Sequence, residues 1–291
     1  MKYIADYRNS DGLRSSFNRL AGLVFGLDFE LWHERGCWDD RYVCHSFLDG
    51  EKVVANVSVS RMDLIVFGRR CKAVQIGTVM THPDYRGRGL SKLLMERVLR
   101  EYERDCDLVF LFANRGALDF YPKFGFTPLP ESQFMLEVGA VTLAEPSLRK
   151  LSGSRQEDLA IIRRMVRWRI PISERFGVLN GEGLFTYYTL NAFPNSVYRM
   201  QDENALLIFE NVEETLHLYD VVSSGDICFE RLLPVVATER TRVVRFHFTP
   251  DRFADQAKHK PIGEPEDVLF VRAKFEIGPV PPFCAPKLAH A

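Results

Sequence analysis

The segment Gly77-Thr-Val-Met-Thr-His-Pro-Asp-Tyr-Arg-Gly-Arg-Gly-Leu-Ser-Lys-Leu-Leu-Met95 decides how the rest of the chain is read. The apolar run Ala73 to Met80 predicts a strand, Pro83 to Gly89 a tight loop, and Leu90, Leu94 and Val98 the buried stripe of a helix. Backbone N–H groups at a helix start have no partners inside the helix and carry partial positive charge. Gly87 and Gly89 let a ligand approach the backbone without meeting a Cβ. Arg86 and Arg88 add charge. A nest of this kind suits phosphate, although a glycine pair before a helix can equally be a turn.

Working outward, Leu13 to Phe29 reads as an amphipathic helix and Phe25 to Asp40 as a loop or short helix. Tyr42 to Leu48 and Val53 to Ser60 read as strands joined at Asp49-Gly50, with a further strand at Leu64 to Phe67. Downstream of the loop, Leu108 to Ala113 is a buried-type strand, Asn114 to Tyr121 a helical stretch ending before Pro122, and Gln133 to Val138 a closing strand. Ala140 to Arg155 has linker composition. Beyond it come a helix at Asp158 to Ile170, strands at Val197 to Met200, Ala205 to Phe209 and Leu216 to Val222, a helix at Ile227 to Val236, and strands at Val243 to Phe248 and Val268 to Phe275. The order strand-turn-strand, strand, helix, strand occurs twice, which predicts a tandem duplication of fold.

The segment resembles the acyl-CoA-binding motif of the GCN5-related N-acetyltransferase (GNAT) superfamily, with Arg86-Gly87-Arg88-Gly89-Leu90-Ser91 in the loop. Ser91 stands where the family usually has Gly or Ala. A second match follows in the expected order: Asn114, Ala117 and Phe120-Tyr121-Pro122-Lys123-Phe124-Gly125-Phe126. The resemblance covers roughly residues 1 to 138. With the degenerate second half, the chain looks like the enhanced-intracellular-survival (Eis-like) branch, which adds a sterol-carrier-like third domain that this sequence does not include. In that branch the terminal carboxylate can be the catalytic base; without the third domain, that role is not carried to Ala291.

The resemblance implies an α/β fold of the α+β mixed-sheet type. A GNAT domain over 1–140 would be followed by a degenerate GNAT-like domain over 151–280. It implies an N-acetyltransferase that moves an acetyl group from acetyl-CoA to a small-molecule or peptide amine by direct attack. A catalytically silent acyl-CoA-binding sensor or interaction module is the alternative. Val79, Met80 and Thr81 would present backbone groups to the pantetheine arm. Arg86, Gly87, Arg88, Gly89, Leu90 and Ser91 would cradle the pyrophosphate, Asn114 would hydrogen-bond the pantetheine, and Tyr121 would be the general acid. Tyr121 could equally be one of a core cluster with Phe120, Phe124 and Phe126.

Freeing an alkylamine of pKa near 10.4 at neutral pH costs on the order of 4 to 5 kcal/mol. Asp28, Glu30, His33, Glu34, Asp39, Asp40 and His82 are candidate bases, and the sequence assigns none of them. Phe25, Phe29, Trp32 and Trp38, interleaved with acids, would suit a cationic amine through cation–π contact, or would simply cover the core or a domain interface. The loop of the second half, Val222-Ser-Ser-Gly-Asp-Ile227, lacks the arginines and paired glycines, and Asp226 would repel phosphate, so this half should not bind CoA in the same way.

Composition agrees without deciding. The chain has 291 residues, 38 Lys and Arg against 39 Asp and Glu, and 46% hydrophobic residues. This excludes disorder as the main state and argues against a dedicated nucleic-acid binder. The length suits two domains. No run reaches 18 apolar residues and Met1 to Arg8 has no signal-peptide pattern, so a cytoplasmic protein without membrane association is expected. The six cysteines show no zinc-ligand spacing, so no metal is expected, and they read as reduced, mostly buried thiols. A homo-oligomer is left open.

Overall fold

The apolar alternation of the chain resolves into two mixed sheets. The computed structural model describes residues 1–144 and 147–291. The linker reading at Ala140 to Arg155 therefore falls partly on residues 145 and 146, outside the described residues.

The first half opens with β1 (Lys2–Ala5), α1 (Asp11–Phe25) and α2 (Glu30–Glu34). It continues through β2 (Tyr42–Asp49), β3 (Lys52–Val66), β4 (Arg69–Thr81), α3 (Leu90–Tyr102), β5 (Leu108–Asn114) and β6 (Thr127–Pro128). α1 stops four residues earlier than expected because Gly26 takes the left-handed conformation and its N–H closes on the helix's last carbonyls. The two predicted strands at Val53 and Leu64 are one strand, β3, buried over most of its length.

The second half comprises β7 (Ser132–Glu137), β8 (Leu148–Lys150), α4 (Gln156–Arg167), β9 (Phe176–Val178), α5 (Glu182–Asn191) and β10 (Val197–Met200). There follow β11 (Ala205–Val212), β12 (Thr215–Val222), α6 (Phe229–Val236), β13 (Val243–Phe246), β14 (Lys258–Pro261) and β15 (Asp267–Ala273).

The first sheet runs β1-β2-β3-β4-β5-β15-β6, with β9 on the far end of β3; the second runs β14-β7-β13-β12-β11-β10-β8. All neighbours are antiparallel except one pair in each sheet, β4 with β5 and β12 with β13, where a helix makes the crossover. Each sheet thus holds one parallel crossover beside antiparallel neighbours.

One expectation needs correction. The strand at Gln133 to Val138 does not close the first sheet: β7 pairs with β13 in the second. In return β15, assigned by the sequence to the second half, pairs with β5 along all of Leu108–Asn114. The sheets have exchanged strands, so a cut into 1–140 and 151–280 does not follow sheet membership. The physical reason is that an alternating strand fits the edge of either sheet equally well, and the choice is made by non-local pairing.

α3 packs Leu90, Leu94, Met95 and Val98 on one face of the first sheet, over Val57, Val59, Val74, Ile76, Val109 and Leu111. α1 and α2 pack on the other face. Cys37, Cys44, Cys71 and Cys106 are buried, Cys284 is half-buried and Cys228 is exposed; all six are free thiols.

Candidate active site

Parallel pairing of β4 with β5 stops at Ile76 and Leu111. Beyond that point β4 runs on to Thr81 and β5 to Asn114. Two steps of β3, from Asn56 to Ser58, face three steps of β4, from Gly77 to Met80, so β4 carries one extra residue there. Thr78 takes a positive φ of 42° within this irregularity. A bulge bends its strand, and here the bend opens β4 away from β5. A buried polar network supports it. Asn56 donates to the Thr78 carbonyl (3.0 Å), Tyr42 Oη lies 3.0 Å from Thr78 Oγ1, and Asn56 also bonds Ser58 and Ser46.

The opening leads into a cleft of about 1470 Å³, lined by both strands, the glycine loop, α5 and the C-terminal segment. Val79, Met80 and Thr81 line it, as do Arg86, Gly87, Gly89, Leu90, Ser91, Asn114 and Tyr121. Met80 and Leu90 give their side chains to the cores, which leaves their backbone groups for a ligand. Gly87 and Gly89 have φ of 75° and 72°, and Gly89 sits directly before α3, a conformation that disfavours any side chain. The positions a Cβ would take at both glycines are open space. Thr81 and Ser91 tie strand end to helix start through a 2.7 Å hydroxyl contact.

One predicted residue is not brought in. Arg88 donates to the Asp84 carbonyl (3.0 Å) and lies over the Tyr85 ring, turned from the cleft. Lys92, which the sequence reading passed over, lines the cleft from the first turn of α3. The signal for it was present, since it follows the glycine loop by three residues.

Tyr121 belongs to the core and also faces the cleft. Its ring is buried among Phe120, Phe126 and Phe270. Burial pushes its phenol up to about 12, so it is protonated at neutral pH.

The candidate bases separate. Glu30 is held by Arg14 and Asn18, and Asp40 pairs with Arg61. Asp39 accepts from the Arg41 N–H, and His82 accepts from the Asp84 N–H in its turn. Asp28 caps Glu30 N and lines the cleft. Among the aromatics, Trp32 Nε1 donates to the Gly183 carbonyl on α5 (2.9 Å) and Trp38 Nε1 to the Tyr42 carbonyl (3.0 Å). Both are buried; Trp32 ties α2 to α5, and Trp38 ties the chain after α2 to β2. Trp38 thus covers the core, while Phe25, Phe29 and Trp32 wall the cleft.

Sequence reasoning gave Ala291 no role and did not place the rest of the C-terminal segment. It is anchored by Ser132 N–H to the Phe283 carbonyl (2.7 Å), Ala285 N–H to Glu131 (2.8 Å) and Lys287 N–H to the His247 carbonyl (3.0 Å). It then carries His290 and Ala291 into the cleft. A Cβ at position 77 would sit 2.7 Å from the Ala291 carbonyl carbon and 2.8 Å from its oxygen, so Gly77 makes room for this approach. No local pattern signals such a contact across more than 200 residues.

This arrangement can be set beside known proteins. Residues 15–129 match the family model described as the acetyltransferase (GNAT) domain. This stretch is similar to a GNAT domain. The match runs from α1 through β6 and so includes the opened strands, the glycine loop and Tyr121. Over 57 residues the chain is 40% identical to GCN5-related N-acetyltransferase 2, chloroplastic, of Arabidopsis thaliana, covering 19% of this chain and 22% of that protein. It is 39% identical over 57 residues to histone acetyltransferase TAP1 of Glycine max, covering 19% and 25%. The chain thus spans about a quarter of the length of these curated relatives. A probable N-acyltransferase from Enterococcus faecalis V583 aligns with a TM-score of 0.63 at 16% identity, over 94% of this chain and 72% of that one. A GCN5-related N-acetyltransferase from Kribbella flavida aligns with a TM-score of 0.58 at 17% identity, over 94% and 71%. These two likenesses extend across both sheets, and at such identities they speak to the fold. No helix among the described residues is long and apolar enough to cross a membrane.

Proposed function

We propose that the chain transfers an acetyl group from acetyl-CoA to the amine of a small molecule or peptide. The observation that carries this reading is the opening of β4 from β5, with the glycine loop at one end and Tyr121 across it. A strand that has left its parallel neighbour offers unpaired N–H and C=O groups, which suits the amide-bearing pantetheine arm. The N–H groups from Gly87 to Ser91, at the start of α3, suit a pyrophosphate, with Arg86 and Lys92 supplying positive charge. Asn114 at the end of β5 provides an amide for the arm.

In the reaction the amine nitrogen attacks the thioester carbonyl carbon and the C–N bond forms. The C–S bond then breaks, the Tyr121 phenol gives its proton to the departing thiolate, an effect worth roughly 10²- to 10⁴-fold, and the proton shed by the newly acylated nitrogen restores the phenol through water. The main-chain oxygen of Ala291 beside Gly77 is a ready acceptor for an N–H of the incoming amine. Acidic Asp28, Glu266 and Asp267 with Phe25, Phe29 and Tyr187 line the same cleft and favour an amine that carries both charge and an apolar body.

Titration with acetyl-CoA, followed by thiol release across a panel of amines, tests the reading. Binding with acceptor-dependent thiol release is expected. No binding at millimolar acetyl-CoA would sink it, and binding without release would leave an acyl-CoA sensor.

A further inference from the structure

The segment that enters the cleft also delivers an imidazole with no role so far. The ring of His290 lies flat on Phe112 of β5, with centroids 3.6 Å apart and planes 18° from parallel. Phe112 follows Leu111, the last β5 residue paired with β4, and Gly77 follows its partner Ile76. His290 and Ala291 therefore cover neighbouring positions at the point where the strands part. The stack and the upstream anchors at Phe283, Ala285 and Lys287 fix the plane of the ring.

Nε2 of His290 is closed to bulk solvent and has no hydrogen-bond partner among the described residues. A group entering the cleft meets the ring at its other nitrogen, Nδ1, which is not among the closed atoms and makes no hydrogen bond among the described residues. Burial, helped by the nearby Lys287 ammonium, holds the imidazole well below its ordinary pKa. The ring is therefore neutral at physiological pH, with one nitrogen lone pair free to accept a hydrogen bond.

We propose that His290 orients the acceptor: its imidazole nitrogen accepts a hydrogen bond from the attacking amine and aims that nitrogen's lone pair at the thioester carbon. This rests on the acetyl-transfer reading above. A neutral acceptor at this point also favours the free-base amine, the form that can attack. Holding the nucleophile in a near-attack geometry acts on the rate, whereas acetyl-CoA affinity is left to the glycine loop.

Two variants of the full chain test it at saturating acetyl-CoA. His290→Phe keeps the stack on Phe112 and removes the nitrogen, and His290→Gln restores an acceptor that does not titrate. We expect kcat/KM for the amine to fall about ten- to hundredfold in His290→Phe and to recover in part in His290→Gln. Acetyl-CoA affinity and melting temperature should match the parent. An unchanged kcat/KM in His290→Phe would overturn the proposal. Equal losses in both variants, or a parallel loss of acetyl-CoA affinity, would also overturn it by reducing the ring to a structural prop. A parent chain that transfers to no amine would instead bring down the acetyl-transfer reading, and this proposal with it.

Discussion

The two parallel crossovers of this chain share a plan and differ in what fills it. In the first sheet β4 pairs with β5 as far as Ile76, gains an extra residue at the Thr78 bulge and leads into the glycine loop and α3. In the second sheet β12 pairs with β13 as far as Leu218, gains an extra residue at Tyr219 and leads into Ser223-Ser224-Gly225-Asp226 and α6. The first opening is a cleft. The second is packed: Tyr219 lies against Phe193 and His247, with centroids 4.4 and 4.3 Å away, and His217 Nδ1 is 3.1 Å from His247 Nε2. Arg169 grips Asp220 through two bonds of 2.8 and 2.7 Å, and Ile170 N–H bonds the Ser223 carbonyl at the strand end. Asp226 is tied to Arg252. Topology thus produces an opening in both halves, and side chains decide whether it receives a ligand.

The sharpest break in this comparison is chemical. Tyr121→Phe should lower acetyl transfer by roughly 10²- to 10⁴-fold while acetyl-CoA affinity holds, as steady-state kinetics beside calorimetry would show. The next falls on the packed half. Arg169→Met leaves the buried Asp220 carboxylate without its partner, so chemical denaturation should report about 3 to 5 kcal/mol of lost stability. Acetyl-CoA affinity per folded molecule should not move. A third pair of variants probes the loops against each other. Gly87→Asp puts a side chain and a negative charge at a left-handed position, and should weaken acetyl-CoA binding by about tenfold or more. Asp226→Gly in the matching loop should create no binding.

The smallest effect concerns the strap that carries His290 and Ala291 into the open half. Burial pushes the Glu131 carboxyl, which accepts from Ala285 N–H, up to about 7 from 4.5. The folded chain then keeps a proton that the unfolded chain releases. Its contribution to stability is full below about pH 4.5 and is lost as pH rises through about 7. Melting temperatures across this range should show that decline in the parent and a flatter profile in Glu131→Gln.

What the sequence made legible follows the same division. The glycine loop, the strand before it and α3 are local patterns, and Gly87, Gly89, Ser91 and Tyr121 all line one cleft. The packing of the second opening was partly visible, since its loop lacks paired glycines and arginines. The exchange of β7 and β15 was not, because an alternating strand carries no label for its sheet. Arg88 was assigned through the resemblance, and its guanidinium lies over Tyr85 and bonds a carbonyl of its own turn. Ala291 was named through the resemblance but given no role, and His290 was not named, because the place of both depends on anchors at Glu131, Ser132 and His247, none of them close in sequence.

The central claim is that only the first opening takes a ligand, and the stoichiometry of acetyl-CoA binding tests it most directly. Calorimetric titration of the full chain should give one acetyl-CoA per molecule, with the site weakened by Gly87→Asp and unaffected by Asp226→Gly. Two sites per chain, or none, would contradict the account.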